Sequence, residues 1–238
     1  MASTPDEPEL ERIRAEYARR EREIPAETYA YSNPPNLFLR QVQERTILSL
    51  LRDGGYAPFA DRRLLDVGCG DGGWLGTYLM LGFRDEHLAG IDLDPQRVAE
   101  AKARHARSEV VVGKADALPW PDGTFDLVSQ FTMFSSILDP RMQERVAREM
   151  LRVLKPGGAV LWLDIRYDNP RNKNVVGLNP KRVAELFPGC EVRSRRSTLA
   201  PPIARAVVGL SWTLAAVLEQ LTVLNVHTIA LIRPRGDR

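Results

Sequence analysis

The alternation of short apolar runs with helix-period segments, which begins near residue 63, constrains the fold more than any other feature of this sequence. Runs of strand type lie at 64–67, 88–93, 110–113, 125–131 and 159–165, and helical patterns lie near 73–82, 95–106 and 141–154. Strands that alternate with helices form right-handed βαβ units, and their parallel sheet carries helices on both faces. The sequence therefore predicts an α/β fold with a mainly parallel sheet.

The flanking segments predict additions to this core. Residues 1–55 are expected to form an N-terminal helical arm and cap, with helical patterns at 10–23 and 37–51 around a turn-rich break at 29–36. The core is expected to span 56–238. Its tail predicts a short helix opened by Asn179-Pro180, a strand near 190–198, one longer helical insertion at 202–221 and a last strand around 226–232.

Composition narrows the class of protein. Hydrophobic residues make up 44% of the 238 and charged residues 27%, which is ordinary globular usage. The formal charge of +2 is small for an electrostatic nucleic-acid binder, so no nucleic-acid partner is expected. The start has no apolar leader pattern, and the stretch 206–218 is shorter than the ~20 apolar residues of a membrane-spanning helix. We expect a cytoplasmic protein without a transmembrane segment, as a monomer or homodimer.

A glycine-rich loop follows the first strand. Gly68, Gly70 and Gly73 lie between that strand and a helix, where the backbone turns sharply and a ligand approaches the main chain closely. Asp92 ends the second strand, 22 positions after Gly70, where a carboxylate accepts hydrogen bonds from a ribose diol. Because the same glycine spacing occurs in dinucleotide-binding proteins, an NAD-dependent oxidoreductase remains an alternative at this point.

The context of this loop indicates one family. Asp66 lies inside the first strand and Asp116 follows the third, while Phe125-Asp126-Leu127-Val128 and Leu154-Lys155-Pro156-Gly157-Gly158 come later in the same order. Over residues 60–165 the chain resembles the class I S-adenosylmethionine-dependent methyltransferases, in the branch that includes the ubiquinone- and menaquinone-type enzymes. The resemblance implies a Rossmann-like seven-stranded sheet, in which an antiparallel last strand lies between the fifth and sixth. It also implies S-adenosylmethionine as the cofactor.

The same resemblance implies a set of cofactor-binding residues. Gly68 and Gly70 would pass under the methionine part of the cofactor, and Asp66 would help to hold its ammonium group. Asp92 would take the ribose hydroxyls. The full set is Asp66, Gly68, Cys69 and Gly70 in and before the glycine loop, Asp92, Leu93, Asp116 and Ala117 around the nucleoside, and Gln130 and Phe131 on the methionine side. No metal is expected, because the fourth strand lacks an aspartate to partner Asp168-Asn169.

Acceptor residues are expected at the carboxyl ends of the strands. Candidates for catalysis there are His227, Asp164 and Tyr167. Candidates for substrate binding are Tyr29, Tyr31 and Asn33 in the cap, together with Ser135, Arg166 and Arg171. Residues 166–205 contain nine basic and three acidic residues. This local excess of positive charge favours an acceptor with an anionic group.

These observations predict an enzyme that methylates a small molecule, with oxygen as the expected acceptor atom in a metabolite, natural product or sugar. A non-catalytic or regulatory S-adenosylmethionine-binding module stays open, because an intact cofactor site does not prove turnover. The cap is expected to act as a lid over the acceptor. Deletion of residues 1–36 should then abolish turnover and leave cofactor binding measurable.

Overall fold

A seven-stranded sheet forms the centre of the computed structural model, which describes residues 7–169 and 172–235. Its strands are β1 (Leu64–Val67), β2 (Leu88–Asp92), β3 (Glu109–Val112), β4 (Phe125–Phe131), β5 (Leu154–Ile165), β6 (Cys190–Leu199) and β7 (Asn225–Pro234). The order across the sheet is β3-β2-β1-β4-β5-β7-β6. Strands β1 to β5 are parallel, and β7 is antiparallel to both β5 and β6. The predicted Rossmann-like sheet and the insertion of its last strand are therefore confirmed.

Helices cover both faces of this sheet. They are α1 (Glu7–Glu23), α2 (Pro34–Asp53), α3 (Gly73–Leu81), α4 (Pro95–Arg104), α5 (Pro140–Arg152), α6 (Pro180–Leu186), α7 (Pro201–Val207) and α8 (Trp212–Gln220). Apolar side chains of α1, α5 and α6 pack on one face, and those of α2, α3 and α4 pack on the other. Local sequence starts several of these helices. For example, Asp94 precedes a proline and its carboxylate accepts hydrogen bonds from the backbone amides of Gln96 and Arg97.

The predicted single helix at 202–221 is wrong. The structure divides it into α7 and α8, with a turn over residues 208–211. Gly209 weakens a helix interior, and Ser211 starts a new helix because its side chain accepts a hydrogen bond from the amide of Leu214 at 3.1 Å. We call residues 201–224 the α7–α8 hairpin.

Helix α1 lies along the carboxyl edge of the sheet despite its highly charged sequence. Leu10 and Ile13 are buried in the same apolar core as α5. Hydrogen bonds of polar side chains also hold the helix in place. The Glu9 carboxylate accepts a hydrogen bond from the amide of Leu138 at 2.6 Å, and Asn174 donates one to Glu16 at 2.7 Å. The expected charged arm is thus a docked helix.

Candidate functional site

Two connected clefts open at the carboxyl edge of the sheet. The first cleft has an empty volume of about 820 Å³, including its open mouth. Its walls come from the loops after β1, β2 and β3, and its ceiling comes from α1. The residues that line this cleft include Leu10, Ile13, Tyr17, Gly68, Asp92, Leu93, Ala115, Asp116, Phe131 and Ile137.

The glycine loop and Asp92 form one hydrogen-bonded unit beside the first cleft. Gly68 and Gly70 have φ angles of +77° and +55°, in the left-handed region that favours glycine. One Asp92 carboxylate oxygen accepts the amide of Gly70 at 2.9 Å, and the other accepts the amide of Asp94 at 3.0 Å. Asp92 therefore holds the loop against β2 while its carboxylate faces the cleft.

The nucleoside side of the first cleft is lined by Asp92, Leu93 and Asp116 among the residues predicted for it. Leu93 and Asp116 line the cleft, and Asp116 accepts a hydrogen bond from the Arg145 guanidinium at 3.3 Å. Ala117 is exposed, and the cleft is lined by Ala115 instead. The difference arises because residues 114–117 form a turn, whose amide at Ala117 donates to the carbonyl of Lys114.

Three of the predicted cofactor residues lie behind the clefts rather than on their surface. The Asp66 carboxylate accepts a hydrogen bond from Ser129 at 2.7 Å, and burial raises its pKa to about 7. Burial also raises the pKa of the Cys69 thiol, so this cysteine is a poor nucleophile. The Gln130 side-chain oxygen accepts the amides of Met133 and Phe134, so Gln130 supports the loop after β4.

The second cleft lies beside the first and is bounded by the 24–36 segment, α2, the ends of β4 and β5, and the start of β7. Its lining includes the predicted cap residues Tyr29, Tyr31 and Asn33, together with Leu39, Arg40, Trp74, Thr132, Leu163, Thr198, Arg205 and His227. Tyr17, Arg97 and Phe131 line both clefts. A ligand in the first cleft and a ligand in the second would therefore meet at Phe131.

His227 is a largely buried titratable side chain in the wall of the second cleft. Burial lowers its pKa to about 4, so the imidazole is neutral at neutral pH. Its Nδ1 atom is buried and makes no hydrogen bond to the part of the chain that the structure describes. His227 can therefore donate or accept a hydrogen bond toward a ligand without adding charge.

Strand register separates His227 from other candidates for the acceptor site. His227 pairs with Ile165, whereas Asp164 pairs with Thr228, and successive residues of a strand face opposite sides of the sheet. Asp164 is fully buried, accepts the amides of Ser135 and Ile165, and has a pKa raised to about 6 by burial.

Arg166 and Tyr167 belong to that other face. The Arg166 guanidinium donates to Thr228 at 3.0 Å and lies 5.5 Å from the ring of Tyr167. Among the described residues, neither cleft is lined by Asp164, Ser135, Arg166 or Tyr167. Arg171 lies outside the described residues. The sheet therefore separates Asp164 and Arg166 from His227.

Comparisons with known proteins agree with this geometry. Residues 64–158 match the family model described as a methyltransferase domain. Over 118 residues the chain is 42% identical to the fatty-acid O-methyltransferase of Mycolicibacterium smegmatis, a match that covers 48% of this chain and 42% of the relative. It is 33% identical over 134 residues to the ubiquinone/menaquinone biosynthesis C-methyltransferase UbiE of Methylobacterium nodulans, covering 54% of this chain and 51% of the relative. The chain thus spans about half the length of these curated relatives, or less.

Solved structures share the fold. A TehB-like S-adenosylmethionine-dependent methyltransferase from Corynebacterium glutamicum matches with a TM-score of 0.58 and 18% identity, over 93% of this chain and 97% of that chain. Residues 64–158 thus form a methyltransferase domain, and the chain has the fold of the class I S-adenosylmethionine-dependent methyltransferases. The oxidoreductase alternative is therefore set aside, and the cofactor of this methyltransferase domain is S-adenosylmethionine.

The first cleft fits that cofactor by its chemistry. A carboxylate at the end of β2 suits a ribose diol, and the apolar walls at Leu93 and Ile137 suit the faces of an adenine ring. No group of three or more histidine, cysteine or acidic side chains that could hold a metal ion occurs within residues 7–169 and 172–235.

Sequence reasoning missed two strained residues in the second cleft of the methyltransferase domain. Thr132 and Thr198 have φ angles of +56° and +73°, which are unfavourable for β-branched residues, and both line the cleft. The Glu219 carboxylate of α8 accepts the amides of Thr198 at 3.0 Å and Leu199 at 2.6 Å. Nothing in the local sequence indicates this strain, because it arises from a contact between segments 21 positions apart.

The arginines of the second cleft differ in their partners. Arg20, Arg40 and Arg97 form ion pairs with Glu16, Glu44 and Glu21, at 2.9, 3.1 and 3.3 Å. Arg205 has no ion pair with any residue of the described ranges 7–169 and 172–235. It is therefore the lining arginine whose charge is available to a ligand.

Proposed function

We propose that this chain transfers the methyl group of S-adenosylmethionine to a carboxylate oxygen of a small lipophilic acid. The observation that carries the proposal is the junction of the two clefts at Tyr17, Arg97 and Phe131. A nucleoside cleft that opens directly into a cleft with an aromatic and apolar wall and an unpaired arginine suits the meeting of a methyl donor with such an acceptor.

The chain's own residues would orient the donor. Asp92 would accept hydrogen bonds from the ribose hydroxyls, and the backbone at Gly68 and Gly70 would allow close approach of the methionine part. Asp66 would act from behind the loop through its charge. When bound, S-adenosylmethionine supplies a methyl group already attached to a good leaving group, so the protein mainly positions the two reactants.

The acceptor class follows from the lining of the second cleft. Tyr29, Trp74, Phe131 and Leu163 give it an aromatic and apolar wall, and Arg205 adds an unpaired positive charge. A carboxylate on an apolar chain satisfies both features. The relative named as a fatty-acid O-methyltransferase supports this class, and a 29% identical relative from Oryza sativa is named as a 24-methylenesterol C-methyltransferase.

His227 would position the acceptor without acting as a base. A carboxylic acid has already lost its proton at neutral pH, so methyl transfer to its oxygen requires no proton abstraction. The neutral imidazole would donate a hydrogen bond to the acceptor. On this proposal the ionisation of the acceptor and of His227 adds no pH dependence to kcat between pH 6 and 8.

A substrate panel tests the proposal. Release of S-adenosylhomocysteine should be measured with a medium-chain fatty acid, the matched alcohol and the matched amine. Turnover with the acid alone supports the proposal. Turnover with the alcohol or amine at equal kcat/KM would refute the carboxylate, and tight cofactor binding without any turnover would favour a regulatory module.

Two variants separate the roles of acceptor and cofactor residues. Arg205→Gln should raise KM for the acid at least tenfold and leave cofactor affinity unchanged. Asp92→Ala should weaken S-adenosylhomocysteine binding by ~1–3 kcal/mol, because a charged hydrogen-bond acceptor is lost. Arg195→Gln, at an exposed arginine that pairs with Asp53 outside both clefts, is the matched control.

A further inference from the structure

The α7–α8 hairpin presents an apolar surface that the rest of the described chain leaves uncovered. Leu210, Val217 and Val223 are 83%, 59% and 76% exposed. Leu214 on α8 and Leu221 directly after it are also exposed, on either side of Val217 in the sequence. Large apolar side chains concentrated in one short segment mark a surface that meets another apolar phase.

The charges around this surface have one sign. Residues 201–224 contain a single acidic residue, Glu219, and its carboxylate is turned inward to the amides of Thr198 and Leu199. Arg205 lies on α7, and Arg45 is close enough to lower the pKa of Glu219 by its charge. Neither arginine has an ion pair in residues 7–169 and 172–235. The apolar surface therefore has a positively charged border.

Trp212 has the environment of an interfacial residue. Its ring meets the edge of Phe38 at a centroid distance of 5.6 Å, yet 41% of the residue is exposed. Trp120 and Trp162 are buried in the core. Tryptophan at the border between apolar and polar surface is typical of proteins that lie at the boundary of a lipid bilayer.

We propose that the α7–α8 hairpin docks the protein on the surface of a bilayer that contains anionic lipids. Its apolar side chains would enter the headgroup region, and Arg45 would face lipid phosphates. A second copy of the same face is disfavoured as the occupant, because two-fold pairing would bring unneutralised arginines together. No helix of the described residues is long and apolar enough to cross a membrane, so the contact is peripheral.

The docking surface adjoins the second cleft. Pro201 and Arg205 of α7 line that cleft, and Glu219 of α8 holds the strained Thr198 in its wall. A lipophilic acid in the bilayer would therefore reach the cleft beside the hairpin. This link rests on the proposed function, whereas the docking itself is measured without any turnover.

Vesicle binding tests the docking. The full chain should be sedimented with vesicles of phosphatidylcholine alone and with vesicles that also contain phosphatidylglycerol. We expect at least tenfold stronger binding to the anionic vesicles. The variant Leu210→Ser/Val217→Ser/Val223→Ser should lose at least tenfold in this binding. Its matched control is Met80→Ser/Val112→Ser, which changes exposed apolar residues elsewhere and should bind as the wild type does.

Tryptophan quenching gives a second readout on the unmodified chain. Vesicles with brominated acyl chains should quench part of the fluorescence, and Trp212→Phe should remove that quenching. Equal binding to neutral and anionic vesicles, quenching that persists in Trp212→Phe, or a dimer that the serine variant dissociates would each overturn the proposal. Acid methylation without vesicle binding would refute the docking alone, and vesicle binding without methylation would refute the proposed function alone.

Discussion

Helix α1 and the α7–α8 hairpin are both additions to the sheet, and their burial is the reverse of what their compositions suggest. The sequence of α1 is densely charged, yet Leu10, Ile13 and Glu16 are buried. The hairpin is mostly apolar, yet Leu210 and Val217 are among its exposed residues. The difference shows that the surface beneath a helix, rather than its mean hydropathy, decides which side chains become buried.

The two additions are also held by different interactions. Helix α1 has a narrow apolar stripe and relies on charged groups, such as Glu9 at the amide of Leu138 and Arg97 at Glu21. The hairpin packs a small apolar cluster around Ala204 and Ala215, and anchors Glu219 on two backbone amides. Ion pairs near the surface are weakened by salt, whereas buried apolar contacts are not.

Removal of α1 should give the largest effect. Deletion of residues 1–23 removes Leu10, Ile13 and Tyr17 from the first cleft, so we expect S-adenosylhomocysteine to bind at least tenfold more weakly in calorimetry. The sequence-based expectation placed the cap over the acceptor and left cofactor binding measurable without it, whereas α1 also lines the cofactor cleft. The serine variant of the hairpin is the control and should keep full cofactor affinity. Full affinity in the deletion variant would show that α1 is not part of the cofactor cleft.

Paired polar substitutions should distinguish the two regions next. Leu10→Ser/Ile13→Ser places hydroxyls in the core, and we expect the free energy of undocking α1 to fall by ~2–4 kcal/mol. Leu214→Ser/Val217→Ser changes exposed residues and should alter stability by less than ~0.5 kcal/mol. Hydrogen exchange of peptides from α1 and α8 measures both. Equal losses of protection in α1 and α8 would contradict the difference in burial between the two regions.

Higher salt should weaken the docking of α1 and leave the α7–α8 hairpin unchanged. We expect a few-fold faster amide exchange in α1 when NaCl rises from about 0.05 to about 0.5 M, because its ion pairs become screened. Amides of α8 should exchange at an unchanged rate. A sugar at matched osmolality controls for general solvent effects, and identical salt responses in both helices would remove the electrostatic account of α1.

The pKa values of Glu16 in α1 and Glu219 in the hairpin should be shifted in opposite directions. Of the changes considered, this one should have the smallest effect on stability. Hydrogen bonds from Arg19 and Arg20 lower the pKa of Glu16 to about 2, so its stabilising contribution is complete above pH 4.5 and lost as pH falls through 2. Burial raises the pKa of Glu219 above its ordinary value, so Glu219 takes up its proton first and protonation favours the folded state. Carboxyl NMR titration measures both, and Glu219→Gln identifies the upper transition. A reversed order of titration would contradict the contrast.

The sequence allowed the sheet and the glycine loop to be predicted because both depend on local patterns. Apolar runs report strands, and Gly68, Gly70 and Asp92 act through their own backbone or a neighbouring loop. The acceptor side was less predictable, because it depends on how β7 pairs with β5. That pairing puts His227 in the second cleft and Arg166 on the opposite face.

Arg205 and Thr198 were not recognised as site residues for a similar reason. The amide of Thr198 is held by Glu219 of α8, and Arg205 lines the cleft from α7, ahead of the turn at residues 208–211. Both features depend on tertiary contacts, which periodicity in the sequence does not report.

On the proposed function, the position of α1 over the first cleft has a kinetic meaning, because a methyltransferase must exchange its cofactor after every turnover. With Leu10, Ile13 and Tyr17 in place, this ceiling narrows the opening through which the donor enters and the demethylated product leaves. Motion of α1 would therefore change the rate of cofactor exchange. Conditions that weaken the ion pairs of α1 should speed product release while they lower cofactor affinity. Tighter docking of α1 would therefore lengthen the residence time of the cofactor and slow turnover.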